Sequence, residues 1–253
     1  MFPLALALMV LAVAAILLSL FNFRFLLYPL IPNLNPMNKA KHVNFNGPTL
    51  FISDLHLKAD QAFPYSVAIR QVLQEQQVSN LVVVGDLFDS PKDGRIITGN
   101  RDGSSVADIL GVRGLTVKSF FIQGSPAHDP SPQENTALNL SPLLELGRCA
   151  ILDFDRVTVI VYHGHDLSWK GMIGHGWDRF ISNLSLERAW KKVAGVPASS
   201  WVIFGHTHIP GIDEKHRVAN CGGWQRIPIL VHPARTGLLL SPEDGSLEIV
   251  HFA

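Results

Sequence analysis

Leu81-Val82-Val83-Val84-Gly85-Asp86-Leu87-Phe88-Asp89 decides how the rest of the chain is read. Its apolar first half is rich in β-branched residues and predicts a strand. The strand stops at Gly85, and a carboxylate, Asp86, follows at once. Upstream, residues 50–53 form a second short apolar run that leads straight into Asp54 and His56. Between the two runs, Tyr65, Ile69, Val72 and Leu73 recur at helical spacing. The result is a strand–helix–strand unit with ligand-type side chains at its strand ends.

The same design repeats downstream. A helix around residues 106–110 leads to the apolar run 120–122, which delivers Gly124 and His128. Residues 157–162 end at His163. A helix marked by Leu186, Ala189, Trp190 and Val193 precedes residues 201–204, which end at His206 and His208. Five strands thus finish in polar residues on one edge, where layered α/β proteins bind their ligands. Residues 217–252 read as short strands with turns such as Glu243-Asp244-Gly245. The expected fold class is α/β: a mixed β core flanked by helices, its last strands completing a second sheet. No internal repeat or low-complexity segment interrupts it.

Composition narrows the function. The 253 residues suit one domain of substantial core behind an apolar leader. Twenty-one basic residues balance twenty-one acidic ones, so no long nucleic-acid partner is expected. Cys149 and Cys221 lack metal-type spacing and read as small buried residues. Of eleven histidines, His56, His128, His163, His165, His206 and His208 sit in patches at the ends of apolar runs. His42, His216, His232 and His251 read as surface or packing residues, and His175 is left open.

Residues 2–21 carry no charge, a length of about 20 that spans a bilayer as a helix. A cleaved signal would show a basic start and a small-residue cleavage site, and neither is clear. Residues 1–23 are therefore expected to be a transmembrane anchor, residues 24–47 a juxtamembrane linker broken by Pro29, Pro32 and Pro36, and residues 48–253 the functional domain. Arg24, Lys39 and Lys41 follow the span and none precedes it, which places the domain on the cytoplasmic side of a single-pass membrane protein.

The polar strand ends make a metal-binding set. A pair of divalent ions about 3.5–4 Å apart needs carboxylate oxygens and imidazole nitrogens, with one carboxylate able to touch both. Asp54-x-His56 places a carboxylate and an imidazole on one side of an extended segment. Asp86 is the candidate bridge, His206-x-His208 repeats the alternate-residue device, and His163 adds a nitrogen. Singly, Asp-x-His or Gly-Asp after a strand is commonly a capped turn. Their conjunction in this order, each at a strand end, points to chemistry.

Asp54-Leu55-His56, Gly85-Asp86-Leu87-Phe88-Asp89, Gly124 through Asp129, His163-Gly164-His165 and Gly205-His206-Thr207-His208 together resemble the five ordered signatures of the calcineurin-like metallophosphoesterase superfamily. The resemblance spans residues 49–253. It implies a four-layer αββα sandwich, here preceded by one transmembrane helix, and two divalent metal ions (manganese, iron or zinc). Carried over, Asp54, His56, Asp86 and His208 hold one ion, and Asp86, His163 and His206 the other. The implied reaction is hydrolysis of a phosphate ester or pyrophosphate by a bridging hydroxide, with His128 as general acid and Asp89 orienting it and raising its pKa. His165 is expected behind the ligands rather than among them. Asn220-Cys221-Gly222-Gly223-Trp224 resembles the turn that shapes the floor of the family's site.

The third signature departs from the pattern. Members read Gly-Asn-His-Asp or Gly-Asn-Arg-Asp, whose Asn binds the second metal. Gly124-Ser125-Pro126-Ala127-His128-Asp129 has two extra residues and no Asn, leaving Ser125 as a stand-in ligand through its hydroxyl. Gly99-Asn100-Arg101-Asp102 spells the variant motif but follows Asp86 too closely to leave room for an intervening helix, so Gly124 is the expected site. Residues 166–185, with Trp169, Met172, Ile173, Trp177 and Phe180, read either as a substrate-facing lid or membrane-facing surface, or as core aromatics. The anchor and Gly-Asp-Leu-Phe-Asp are similar to the UDP-diacylglucosamine pyrophosphohydrolase branch, so the expected partner is a phosphate-containing small molecule or a lipid-linked substrate. The competing readings are a nucleotide phosphodiesterase and a catalytically weakened binding module of the same fold.

Overall fold

Alternation of side chains along the strands decides the layering. The computed structural model describes residues 24–99, 106–130, 140–167, 176, 179, 182–225 and 234–252. One six-stranded sheet runs in the order β12 (Ser246–His251), β11 (Thr236–Ser241), β2 (Thr49–Ile52), β3 (Asn80–Val84), β4 (Lys118–Ile122), β5 (Leu143–Gly147). The other runs β1 (Lys41–Asn44), β6 (Cys149–Asp153), β7 (Thr158–Tyr162), β8 (Trp201–Phe204), β10 (Val218–Asn220), β9 (Gly211–Asp213). In the first sheet Phe51, Val82, Val84, Phe120 and Ile122 face inward. They meet Val159, Val161, Trp201, Ile203 and Ala219 of the second sheet in a shared apolar layer.

Their sequence neighbours point the other way, as a period of two requires. Leu50, Ile52, Leu81, Val83 and Phe121 turn outward onto Ile69 and Leu73 of α1 (Ser66–Glu75), Ile97 of α2 (Pro91–Gly99) and Val106 of α3 (Val106–Ile109). On the far side Ile160, Tyr162, Val202 and Phe204 meet Leu186 and Trp190 of α4 (Ser185–Val193). Three apolar layers separate four layers of structure, so both sheets are buried on both faces and their central strands read as continuous apolar runs. The closing strands divide between the sheets: β9 and β10 extend one, while β11 and β12 pair antiparallel beside β2 in the other.

The strands that carry the ligand-type residues are parallel neighbours. β2, β3 and β4 pair in parallel, as do β7 and β8, so their carboxyl ends open on one edge. Helix α2 escapes an apolar-periodicity reading because only Gly94 and Ile97 are buried along it. Its signal lies in Ser90-Pro91-Lys92-Asp93: the Ser90 hydroxyl accepts from the Asp93 N–H at 3.2 Å and contacts the Asp93 carboxylate. That is a serine N-cap with proline at the first helical position.

Residues 24–47 are not a free linker. The prolines end helical continuity, as expected, but they initiate short 3-10 turns at Pro32–Leu34 and Pro36–Lys39, following one at Arg24–Leu27. Asn35 secures them, accepting from the Met37 N–H and donating to the Ala194 carbonyl at 3.1 Å. Phe25 and Tyr28, only 2% and 3% exposed, enter the layer beneath α4. There the Trp190 indole stacks on Tyr162 at 4.8 Å and donates to the Tyr28 hydroxyl at 3.2 Å. β1 then pairs in parallel with β6 and completes the sheet edge. The expected anchor, residues 1–23, lies outside the described residues, and among those described no helix is long and apolar enough to cross a membrane.

Burial of Phe25 and Tyr28 is worth about 1.5–3 kcal/mol each. A chain beginning at Gly47 should therefore melt about 6–24 °C below one beginning at Arg24, since 1 kcal/mol moves a domain of this size by about 2–4 °C. Equal melting temperatures in calorimetry would show that these residues add nothing to the fold.

Candidate metal centre

The ligand-type residues sit in backbone that ordinary L-residues avoid. Asp54 (φ 55°), His56 (φ 47°), Asp86 (φ 46°), His206 (φ 70°) and His208 (φ 59°) are all left-handed. Each costs on the order of 1–2 kcal/mol relative to right-handed backbone. Asp54 and His56 therefore do not share a face by strand alternation: the extended conformation ends at Ile52, and a left-handed turn aims both inward. His206 and His208 are turned in the same way.

Cross-loop hydrogen bonds hold this conformation. The Asp54 N–H donates to the Gly85 carbonyl and the His56 N–H to the Asp86 carbonyl, both at 3.1 Å. The His206 N–H donates to Asp54 Oδ2 at 2.9 Å, and the Trp224 N–H to the Asp54 carbonyl at 3.1 Å. Gly85, at φ 76°, lies so close to its neighbours that a Cβ there would stand 2.5 Å from the His163 ring and 2.7 Å from the Gly124 Cα. Only glycine lets the ends of β3, β4 and β7 approach this closely.

Two groups of side chains result. Asp54, His56 and His208 form one, and Asp86, His163 and His206 the other, with the potential ligand atoms of each group within 4.8 Å of one another. His208 Nε2 lies 3.2 Å from Asp54 Oδ1, and His163 Nε2 lies 3.2 Å from Asp86 Oδ2. The groups adjoin, since His163 Nε2 is also 4.0 Å from Asp54 Oδ1. His163 Nδ1 faces the Val84 carbonyl at 2.9 Å. That contact puts the ring hydrogen on Nδ1 and leaves Nε2 to face the carboxylates.

Asp54 Oδ1, both His56 nitrogens and His163 Nε2 are buried without a hydrogen-bond partner. Leaving such atoms unsatisfied costs about 1–3 kcal/mol each. Oxygen and imidazole donors aimed at a common centre are the set that a divalent cation satisfies, so the residues present fit the ions implied by the sequence motifs.

The charges respond to one another. Burial pushes the Asp54 and Asp86 carboxyls up, but the facing imidazoles, His208 for Asp54 and His163 for Asp86, outweigh it and hold both below the usual carboxylate range. Burial pushes His163 down, yet Asp86 and Asp54 outweigh that too and raise it to about 10. His208 is raised by Asp54 against the same burial. His56 falls to about 3, through burial and then His208, and His206 to about 4, through burial and then His163.

Residues 49–237 match the family model of the calcineurin-like phosphoesterase superfamily domain. The chain belongs to that superfamily. It is a phosphoesterase, and its family implies divalent metal ions. Among solved structures, a single mutant of Vps29 from Entamoeba histolytica is 16% identical, with 81% of this chain and 99% of that one covered and a TM-score of 0.47. An archaeal phosphodiesterase is 13% identical, with 80% and 98% covered and a TM-score of 0.44. YfcE, a phosphoesterase from E. coli, is 14% identical, with 81% and 100% covered and a TM-score of 0.42. No curated protein matches the chain.

Around the two groups, this phosphoesterase places the remaining expected residues differently. His128 reaches the site, with Nε2 3.9 Å from Asp86 Oδ2 and its ring edge-on to His56 at 4.6 Å. The Asp89 carboxylate does not orient it. The Asp89 main-chain carbonyl does, lying 2.7 Å from His128 Nδ1, while the carboxylate accepts from Gln225 at 3.0 Å and lies 3.9 Å from His56 Nδ1 and from the Lys58 amine. The chain bends at Asp89, so the carbonyl rather than the carboxylate faces the His128 ring. Ser125 meets Asp86 through its main-chain N–H, at 2.8 Å, and its hydroxyl accepts from the Ala127 N–H.

His165 lies outside both groups, its ring parallel to His163 at a centroid distance of 6.4 Å. Asn100, Arg101 and Asp102 fall outside the described residues, as do Trp169, Met172, Ile173, His175, Trp177, Phe180 and His232. Gly124 follows β4 closely and lies beside Asp86: a Cβ there would stand 2.3 Å from the Asp86 N.

Two supporting carboxylates were not singled out from the sequence. Asp129, fully buried, accepts from the main-chain N–H groups of Gly124 (2.7 Å), Asp86 (2.9 Å) and Leu87 (3.0 Å). It thereby ties the third signature to the second. Glu187 of α4 accepts from Thr207 at 3.2 Å and Asn220 at 3.1 Å, and Asn220 also donates to the Gly205 carbonyl at 2.7 Å. The only sequence signal for Glu187 was an acid at a helical core position, one residue after Leu186.

Asp129→Asn puts an amide donor among N–H donors and should destabilise the fold by about 3 kcal/mol or more in denaturant unfolding; an unchanged midpoint would show that the three bonds carry nothing. A second expectation concerns protons. With Asp86 and Asp54 raising His163 to about 10 in the ion-free protein, Nε2 carries a second ring proton at neutral pH; a cation taking Nε2 displaces it, so manganese affinity should rise with pH by about tenfold per unit for each proton displaced. Calorimetry in buffers of differing ionisation heat measures the release, and a pH-independent affinity with no release would contradict it.

Proposed function

We propose that this phosphoesterase is a metal-dependent hydrolase of phosphate ester or pyrophosphate bonds, acting where the two ligand groups adjoin. The carrying observation is the convergence of Asp54, His56, His208, Asp86, His163 and His206, with orphaned buried atoms of both groups turned inward. Asp54, His56 and His208 would hold one divalent ion, and Asp86, His163 and His206 the other, with manganese, iron and zinc all compatible with oxygen and imidazole donors. Bound there, such ions neutralise charge on phosphoryl oxygens and make water a stronger nucleophile.

The chain's own residues supply the rest. His128 is held through Nδ1 by the Asp89 carbonyl, so Nε2 is the atom that delivers a proton to the departing oxygen. Asp129 and the Gly85–Gly124 contact fix Asp86 before any substrate arrives, which lowers the reorganisation needed at the reacting centre.

The uncharged run 2–21 supports a single-pass anchor, and Arg24, Lys39 and Lys41 after it support a cytoplasmic domain. An anchored phosphoesterase carrying Gly-Asp-Leu-Phe-Asp favours a lipid-linked or nucleotide-linked pyrophosphate, as in the UDP-diacylglucosamine pyrophosphohydrolase branch. One observation favours a second reading, a weakened binding module: the third signature lacks its Asn, and the Ser125 hydroxyl is engaged with Ala127.

Metal analysis with a manganese-supplemented assay on an aryl phosphodiester separates the two. Two ions with turnover that a chelator abolishes support the hydrolase; one ion or none, without turnover, supports the binding module. His128→Ala should lower kcat by about 10²–10⁴-fold and leave metal content intact, whereas loss of metal in that variant would refute its assignment as the acid.

A further inference from the structure

A cavity of about 320 Å³ opens where the N-terminal turns lie against the ends of β6 and β7. Arg24 and Lys39 reach it from the turns, and Arg148 from the bend between β5 and β6. Among the described residues, no carboxylate lies within salt-bridge distance of these three cations. Their only acidic companion in the lining is Asp166, whose carboxylate receives the Tyr28 hydroxyl. Three cations around one carboxylate leave the cavity positive, which calls for an anion.

Two buried atoms of the wall, His165 Nδ1 and Asp166 Oδ1, have no hydrogen-bond partner. The cavity is thus polar inside as well as charged at its mouth. It is separate from the metal groups, none of whose members lines it.

The surface beside the cavity says where the anion comes from. Leu26, Leu27, Leu30 and Ile31 are all exposed, Leu30 at 79%, and they make up four of the seven exposed large apolar residues among those described. They follow directly on the uncharged run 2–21. Free phosphate gains nothing from an apolar patch, whereas a lipid surface presents phosphate and acyl chain together.

We propose that this cavity binds the phosphate of a membrane lipid headgroup through Arg24, Lys39 and Arg148, while Leu26, Leu27, Leu30 and Ile31 rest in the headgroup–acyl boundary. The proposal rests on reading residues 2–21 as an anchor, which delivers Arg24 to the membrane surface. Basic side chains just inside an anchor are drawn to anionic lipid headgroups. The interaction sets how the domain sits on the bilayer.

The test uses the full chain in a neutral detergent, with chelator present so that phosphate has no metal to bind. It is titrated by calorimetry with dihexanoyl phosphatidic acid and, separately, with inorganic phosphate. The lipid should bind at least tenfold more tightly than phosphate. The Arg24→Ala, Arg148→Ala double variant should lose about tenfold or more of that affinity, and His208→Ala should lose none. Both arginines are exposed, so the double variant should fold; a matching melting curve checks this, and Arg148→Lys should retain most of the binding.

Absence of lipid binding would overturn the proposal. So would equal binding of lipid and phosphate, full affinity in the double variant, or loss of binding in His208→Ala alone. Turnover of a soluble aryl phosphodiester is measured independently, so an active enzyme that binds no lipid refutes this site and leaves the hydrolase reading standing.

Discussion

Two carboxylates, Asp54 and Asp86, are buried side by side at the junction of two sheets, and the rest of the site is arranged around that electrostatic problem. Neither is solvated. A buried charge is costly unless something of opposite sign faces it. His163 lies between them, and His208 flanks Asp54 from the other side. The strained left-handed turns at the strand ends are the local expense of placing these groups so close, and the cross-loop hydrogen bonds from Gly85, Asp86, His206 and Trp224 keep the turns from relaxing.

The architecture makes that placement possible. Asp54 and Asp86 come from the sheet containing β2 and β3, whereas His163, His206 and His208 come from the one containing β7 and β8. They meet only because the inner apolar layer locks the two sheets face to face with their carboxyl edges together. Asp129 ties two loops within one sheet, and Glu187 with Asn220 ties the histidine turn to α4 in the other. Each support lies one step behind a ligand-type residue and fixes its backbone rather than touching the centre.

The N-terminal turns connect this centre to the chain's apolar leader. Tyr28 touches Asp166 and Trp190, and Trp190 stacks on Tyr162, the residue immediately before His163. A packed path therefore runs from Tyr28 to the end of β7, and Phe25 and Tyr28 belong to the same core as the strand that leads into His163.

The sequence by itself determined the strand ends, because an apolar run stopping at Gly-Asp or Gly-His is a local pattern set by burial and turn chemistry. It therefore placed Asp54, His56, Asp86, His163, His206 and His208 at strand ends and located the helices α1, α3 and α4. Tertiary structure alone decided the rest. Whether the Asp89 carboxylate or its carbonyl faces His128 depends on a turn between separate strands. That Phe25 and Tyr28 belong to the core depends on a surface offered by α4 some 160 residues later. Asp129 and Glu187 look ordinary in the chain, since a buried acid is identified by the donors that surround it, and those donors come from elsewhere in the fold.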